Sequence, residues 1–293
     1  MMYKSLDTDI FQSFDANYFI RNSLDEVELF TKCKKKIIHS MTPLLLDISS
    51  SGQYLINSCD ARLRLDFSPA ALLINTSDAE EYDYKIQSIK LWVKKIIPNN
   101  NALMSLNKSL TSENSCLEYV FQRPIMQTFV YPANQQVICL DNIFNSIIPN
   151  KVFLFFLTQS SANGSYHNNG AHFTHANISS LRLEANGQTI SAFHADFEQE
   201  QFANLFHHTL SNVQCSDNLL TLKNFKKGRT IFCWNLASHE TGDTLPIETT
   251  GNLRLSIQSK KINTENLIIY VLGLTTAVIQ IDAGRRVKTS YLM

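Results

Sequence analysis

Val152-Phe153-Leu154-Phe155-Phe156-Leu157 sets six apolar residues in a row, with Pro149-Asn150 before them and Gln159-Ser160-Ser161 after. A run this short, rich in aromatics and enclosed by turn formers, reads as a strand buried on both faces. Downstream, a loop of about twenty residues rich in Ser, Asn, Gly and His opens at Gln159. A strand is expected over 178–184, and Ala185-Asn186-Gly187-Gln188 carries the Asn-Gly pair favoured in tight hairpins. Phe197, Gln201, Leu205 and His208 lie at helical spacing, widened by Phe202 and Phe206, which predicts a helix over 197–210. Further strands are expected over 230–236, 252–258, 266–274 and 277–281.

Upstream, strands are expected over 116–121, 125–131 and 135–140. Pro124 and Pro132 separate them, because a residue without an N–H belongs at a strand end. Pro98-Asn99-Asn100-Asn101 reads as a turn and 102–110 as a short helix. Residues 84–97 alternate through Ile86, Ile89, Leu91 and Val93, with a phase slip at Gln87-Ser88 that a bulge would absorb. Residues 61–67 put Leu63, Leu65 and Phe67 on one face and Arg62, Arg64 and Asp66 on the other. Before these, 23–39 has helix features: Ser23 as cap, Glu26 three residues on, and Val27, Phe30, Ile37 and Ile38 as a stripe. Pro43 stops it, and 44–48 reads as a buried strand closed by Ser49-Ser50-Ser51-Gly52. About ten short strands with two short helices between them predict an all-β sandwich with long excursions. No βαβ alternation or fixed-period repeat is present.

Composition narrows the function. The 293 residues carry 26 basic and 26 acidic side chains, so no overall basic field exists to hold nucleic acid. The run Lys32, Lys34, Lys35, Lys36 is short, and Asp25, Glu26 and Glu28 precede it, as on a solvated helix face. Six scattered cysteines without a C-x-x-C pair suit reduced thiols rather than a zinc ribbon. The first residues do not resemble a secretory leader, and no apolar run is long enough to span a membrane. The sequons at Asn75, Asn107, Asn163 and Asn177 then carry little weight. The isolated Met41, Met104 and Met126 read as gap-fillers.

Catalytic motifs are missing: no phosphate loop, no dinucleotide fingerprint, no nucleophile elbow, no H-E-x-x-H. His167, His172, His175 and His194 bracket the long loop, with His207 and His208 beyond. Three converging imidazoles would make a zinc enzyme, but no carboxylate stands at ligand spacing and surface histidines are the simpler reading. Ser165, His172 and Asp196 make a triad only on paper. Phe153, Phe155 and Phe156 lack the interleaved Lys or Arg of a base-stacking surface and read as core. No catalytic, cofactor-binding or metal-binding residue is therefore expected. Asp282-Ala283-Gly284-Arg285-Arg286-Val287 reads as a surface turn.

Several stretches, taken in order, resemble a known group. They are Ile89 to Val93 with Lys94-Lys95; Gln122-Arg123-Pro124 leading to Gln127-Thr128-Phe129; Ile147 to Phe156; Asn163-Gly164-Ser165-Tyr166-His167-Asn168-Asn169; Phe173-Thr174-His175-Ala176-Asn177; Leu181 to Gly187; Gly251-Asn252-Leu253-Arg254-Leu255; and Val278-Ile279-Gln280-Ile281-Asp282 with Arg285 and Val287. They resemble the C-terminal part of the double-jelly-roll capsid proteins of adomavirus-like and Polinton-like double-stranded DNA elements and their endogenous invertebrate copies. The resemblance runs from about residue 55 onward. It implies a jelly-roll fold, trimeric capsomers, other capsid proteins as partners, and a structural role in a virion assembled in the host cytoplasm or nucleus.

Only about sixty residues precede the resembling region, so one complete roll (61–293) is expected after a segment (1–60) that is a possible remnant of a first roll. The subunit contacts implied are Asn163, Tyr166, His172, His175, Arg285 and Arg286. A different class of function would be a β-sandwich binding module that recognises carbohydrate or peptide through the 159–177 loop.

Overall fold

The computed structural model describes residues 41, 44, 46, 47, 52–74, 82–111, 116–213, 220–237 and 249–291. Eleven strands run from β1 (Leu117–Tyr131) through β2 (Val137–Leu140), β3 (Ile147–Ile148), β4 (Lys151–Thr158), β5 (Ile178–Ala185), β6 (Gln188–His194), β7 (Ile231–Asn235), β8 (Thr249–Thr250), β9 (Leu253–Ser259) and β10 (Leu267–Ile281) to β11 (Val287–Tyr291). Five helices lie among the described residues: α1 (Ala70–Leu73), α2 (Asn100–Thr111), α3 (Gln159–Asn163), α4 (Ala203–Val213) and α5 (Leu222–Lys226).

The pairing has a simple logic. β1 pairs with β10, β2 with β9, β3 with β8, β4 with β7 and β5 with β6, all antiparallel. The chain is thus one long hairpin folded back on itself, with the turn Asn186-Gly187 at its tip. β3 and β8 form a two-stranded ladder of their own, and wrapping the hairpin sends the other four pairs alternately into opposite layers. The result is one sheet ordered β1-β10-β4-β7 and another ordered β2-β9-β5-β6. That eight-strand order is a complete jelly roll. Extra ladders, β10 with β4 and β5 with β9, stitch each layer together. At the tip, Asn186 (φ 51) and Gly187 (φ 78) are both left-handed, the backbone that a two-residue hairpin of this twist demands.

Between the layers, alternate residues interlock in one cluster. Val152, Leu154 and Phe156 of β4, Ile269 and Val271 of β10, and Phe232 and Trp234 of β7 meet Leu181 and Leu183 of β5 and Leu253, Leu255 and Ile257 of β9. Each side chain is almost wholly removed from water. Burying one such aliphatic or aromatic side chain stabilises by about 1.5–3 kcal/mol. Two polar groups also tie layer to layer. Trp234 Nε1 donates to Ser191 Oγ at 2.7 Å, and Tyr131 Oη donates to Gln136 O at 2.8 Å and lies 3.1 Å from Ser259 Oγ. Burial pushes the Tyr131 hydroxyl's pKa up. It drives that of the Cys233 thiol to about 12 and leaves it unreactive.

Three element bounds differ from expectation. Residues 117–131 form one strand, not two. Pro124 sits inside it because β1 is the outer strand of its sheet, where a missing N–H need not break a ladder. Likewise 267–281 is a single strand: buried Thr276 Oγ1 accepts from Asn150 Nδ2 at 2.8 Å, so a polar pair survives in mid-strand. The predicted helix starts only at Ala203. Residues 196–201 instead make a closed turn, with Asp196 and Gln201 exchanging backbone bonds of 2.9 and 2.8 Å and Asp196 Oδ1 accepting from Glu198 and Gln199 N–H. A short acidic side chain that satisfies local N–H groups competes with the helix.

The strands read over 61–67 and 84–97 are not formed. Alternation supplies a face but no partner, and no neighbouring strand stands beside either segment among the described residues. Leu63, Leu65 and Phe67 are exposed, as are Ile89, Leu91, Trp92, Val93 and Ile97. Leu44, Leu46 and Asp47 are not in a strand either, and the rest of 44–48 and the helix read over 23–39 lie outside the described residues. Instead of two short helices there are five named ones among the described residues, and β3, β8 and β11 were not foreseen. In β4 one face alone is fully buried. Phe153 and Phe155 are half-covered on the other, where Phe155 stacks on Tyr270 at 5.2 Å and meets Phe173 at 4.8 Å. Leu154→Ala is therefore expected to cost about 2–5 kcal/mol in urea unfolding, and Phe153→Ala distinctly less; equal costs would mean both faces of β4 are core.

Candidate subunit-contact surfaces

The six residues singled out from sequence fall in two places. Asn163, Tyr166, His172 and His175 lie on the excursion from β4 to β5. Arg285 and Arg286 lie in the turn from β10 to β11. The excursion opens where β4 ends, and Thr158 there faces Leu267 at the start of β10. Arg285 lies beyond its other end, fourteen residues further on. A strand rises about 3.3 Å per residue, so the two places are roughly 45 Å apart.

The excursion is built on short local bonds. Thr158 Oγ1 accepts from Ser161 N at 3.2 Å and starts α3, and Gly164 (φ 91) ends it. Asn163 is exposed at the end of that helix. Tyr166 Oη donates to Tyr82 O at 2.8 Å, tying the excursion to the segment before α2. Thr174 N–H donates to Phe156 O at 3.0 Å, and Phe173 N–H to Gly228 O at 2.8 Å, so β4 and the α5–β7 turn hold the middle. His172 is exposed with its ring lying over Gly228, whose φ is 96°. A Cβ at Gly228 would run into that ring.

His175 is half-buried. Its ring stacks on Phe197 at 4.4 Å and 7°, and its Nδ1 accepts from Asn177 N–H at 3.0 Å. Phe197 stacks in turn on Phe202 at 4.8 Å and Phe225 at 6.4 Å. Desolvation, helped by the positive charge of Lys226 and by His172, holds the imidazole below its ordinary range. On α4, His208 is also depressed, by burial and by His207.

Beside this aromatic stack runs a charged network that sequence reasoning missed. Lys260 Nζ lies 2.6 Å from Asp196 Oδ2 and 3.7 Å from Glu198, Lys261 pairs with Glu198, and Lys226 pairs with Glu200 at 3.1 Å. Lys260 N–H donates to Asn177 O at 2.8 Å. Lys260 and Lys261 are more than sixty residues from their carboxylates and Lys226 is 26 from Glu200, so no local spacing announces them. Asp196 is committed to Lys260, and Ser165 Oγ accepts from His167 N–H at 3.3 Å, so the paper triad is not assembled. Among the described residues no three His, Cys, Asp or Glu side chains gather as metal ligands. A cleft of about 360 Å³ is lined by His194, Ala195, Asp196, Gln201, Ala203 and Asn204. None of these belongs to the 159–177 loop.

The second place is a polar latch. Asp282 Oδ1 accepts from Arg286 N–H at 2.8 Å, and Arg285 (φ 60) reaches Asn57 Oδ1 at 3.2 Å and Asn107 Oδ1 at 3.3 Å. Arg285 thus joins the end of the roll to the segment before it and to α2. Under it, Ile56, Leu110, Tyr119 and Ile281 form a small second core, with Tyr119 Oη taking Ile56 N–H and donating to Tyr54 O. Arg286 is exposed. Among the described residues no helix is long and apolar enough to cross a membrane.

No family model matches the chain. It is 21% identical over 204 residues to the uncharacterized protein F54H12.2 of Caenorhabditis elegans, a match covering 66% of the chain and 48% of that relative. The chain thus spans about half the length of the curated relative it matches. Among solved structures, the Sputnik virophage determined by cryo-EM aligns at TM-score 0.40 and 13% identity, over 60% of this chain and 39% of that one. The mavirus major capsid protein aligns at TM-score 0.35 and 8% identity, over 60% and 42%. PBCV-1 VP54, fitted into a Sputnik reconstruction, aligns at 0.37 and 13%, over 61% and 52%. The alignments span part of each chain, and the eight-strand order itself fixes the fold class here.

Gly228→Ala is expected to cost about 1–2 kcal/mol from the left-handed backbone alone, and more from the clash with the His172 ring. Adding His172→Ala should recover the clash and leave the backbone cost. A double mutant no more stable than Gly228→Ala in urea melts would mean that His172 does not pack there.

Proposed function

We propose that this chain is a structural shell protein of the capsid type, or a capsid-derived protein, which assembles with copies of itself. The supporting observation is the pairing of a closed jelly roll with a large apolar surface left outside it. Fold alone does not assign function. The surface adds a physical requirement. Phe67 is 53% exposed, Ile89 57%, Leu91 58%, Trp92 76%, Val93 76% and Ile97 84%. With Leu63 and Leu65, and at roughly 100 Å² each, these side chains offer on the order of 800 Å², about what one partner contributes to a standard interface. Large apolar surface left in water marks an interaction site, and these side chains all fall within residues 63–97.

A second copy of the chain is the partner this reading commits to. Trimers, and other capsid proteins as neighbours, are the finer form of the proposal, with the virion as the place of action and the host cytoplasm or nucleus as the place of assembly. Asn163, Tyr166, His172 and His175 at one end and Arg285 and Arg286 at the other are proposed as further contacts. Two ends roughly 45 Å apart suit a subunit touching neighbours at both rims. Residues 1–60 are proposed as the remnant of a preceding roll.

Light scattering on a size-exclusion column at micromolar concentration tests the proposal. Trimers or larger symmetric forms are expected. Trp92→Ser with Val93→Ser should shift the protein toward monomer without changing the urea midpoint of the roll. A wild-type protein that stays monomeric at that concentration would remove the proposal.

A further inference from the structure

We propose that the 159–177 excursion is latched by neutral His175 and opens on mild acidification, which makes it a pH-sensitive element of the surface. The latch is a property of the single chain and does not depend on assembly.

The argument begins with where the proton must go. Nδ1 of His175 accepts the Asn177 N–H, so in the neutral ring Nε2 carries the hydrogen. A second proton has only Nδ1 to occupy. It would then point at the Asn177 N–H, and an acceptor becomes a donor facing a donor. One of the bonds that close the turn into β5 is lost in the same step that creates the charge, leaving the Ile178 N–H bond to His175 O of 3.0 Å.

Every element around the ring offers it positive charge or a carboxylate already engaged. From its own excursion comes His172, and from α5 comes Lys226. Glu200, ahead of α4, is paired with Lys226. Asp196 and Glu198, in the turn that carries Phe197, are held by Lys260 and Lys261. Arg229 follows Gly228 at the turn that bonds Phe173. The influences that act on the His175 proton, burial first, then Lys226 and His172, all work against it. A charged ring over Phe197 recovers some cation–π attraction. That attraction replaces neither the lost acceptor nor the ring's lost hydration.

The sign of the effect follows. A histidine whose pKa is depressed in the closed form leaves stability complete above the unperturbed value, about 6.5. Below that, the open form takes up a proton that the closed form refuses, and closure weakens until the closed-form pKa is passed. The steepest possible change is about tenfold in the opening equilibrium per pH unit. His175 closes the excursion onto Phe197, Asn177 lies next to Ile178 of β5, and the rest of the roll has its own ladders. The opening is therefore local.

Amide hydrogen exchange of the full chain, corrected for intrinsic rates, between about pH 7.5 and about pH 5 reads this directly. Protection over 165–177 should fall by up to about tenfold per unit below about 6.5, while β4 and β10 keep theirs. His175→Asn places an amide oxygen where Nδ1 was, accepting the same N–H two residues on without titrating. It should keep neutral-pH protection and lose the acid response. His172→Asn should keep the response and move its midpoint upward, because one neighbouring positive charge is gone. Wild-type protection that does not change with pH, or an unchanged acid response in His175→Asn, would overturn the latch; the latter would assign the response to another group such as His208.

Discussion

The strand β10 is the constraint on which the rest of the structure hangs. For fifteen residues it pairs with β1 on one side, and on the other it meets β4 and then β11. The residues of β1 and β10 are more than a hundred positions apart, so closing this ladder carries a large loop-closure cost. The gain that offsets it is the inward row Leu267, Ile269 and Val271, which meets both layers in one dry cluster. Once β1 and β10 are joined, β2 and β9 are brought close by their own short connections. The folding-back then propagates inward to the Asn186-Gly187 tip.

Much of this was legible because each roll strand carries its own signal. The Asn-Gly tip, the strand over 252–258 and the six-residue apolar run of β4 all read correctly as elements, although that run was expected to be buried on both faces. What local reading could not supply was context. Pro124 looked like a strand end because its tolerance depends on β1 being an edge. Thr275 and Thr276 looked like a break because their partners, Arg123 O and Asn150, lie far away in sequence. Residues 61–67 and 84–97 show the converse. Their pattern is that of a strand, yet a ladder needs a second chain segment, and none stands beside them among the described residues.

The candidate surfaces were legible as residues and not as an arrangement. His172 and His175 stood out by composition alone. What makes them differ is three-dimensional: one ring lies exposed over Gly228, while the other is pressed between Phe197 and the backbone of Asn177. The lysine–carboxylate network beside them joins the 196–200 turn to the end of β9, and no sequence spacing predicts such a pairing. Arg285 was read as part of an exposed turn, and its guanidinium instead bridges Asn57 and Asn107. The jelly roll and the segment before it therefore share a polar clasp and a small core. That sharing keeps the exposed apolar stretch of 84–97 tethered to the roll at both ends, through Tyr82 and through α2.

The folded-back wiring is the central claim, and an experimental structure resolved well enough to trace side chains around β10 tests it most directly. The account predicts Leu272 lying between Met126 on one side and Phe153 on the other, in two antiparallel ladders. A β10 flanked instead by its sequence neighbours in a simple meander, with β1 in the opposite layer, would contradict it.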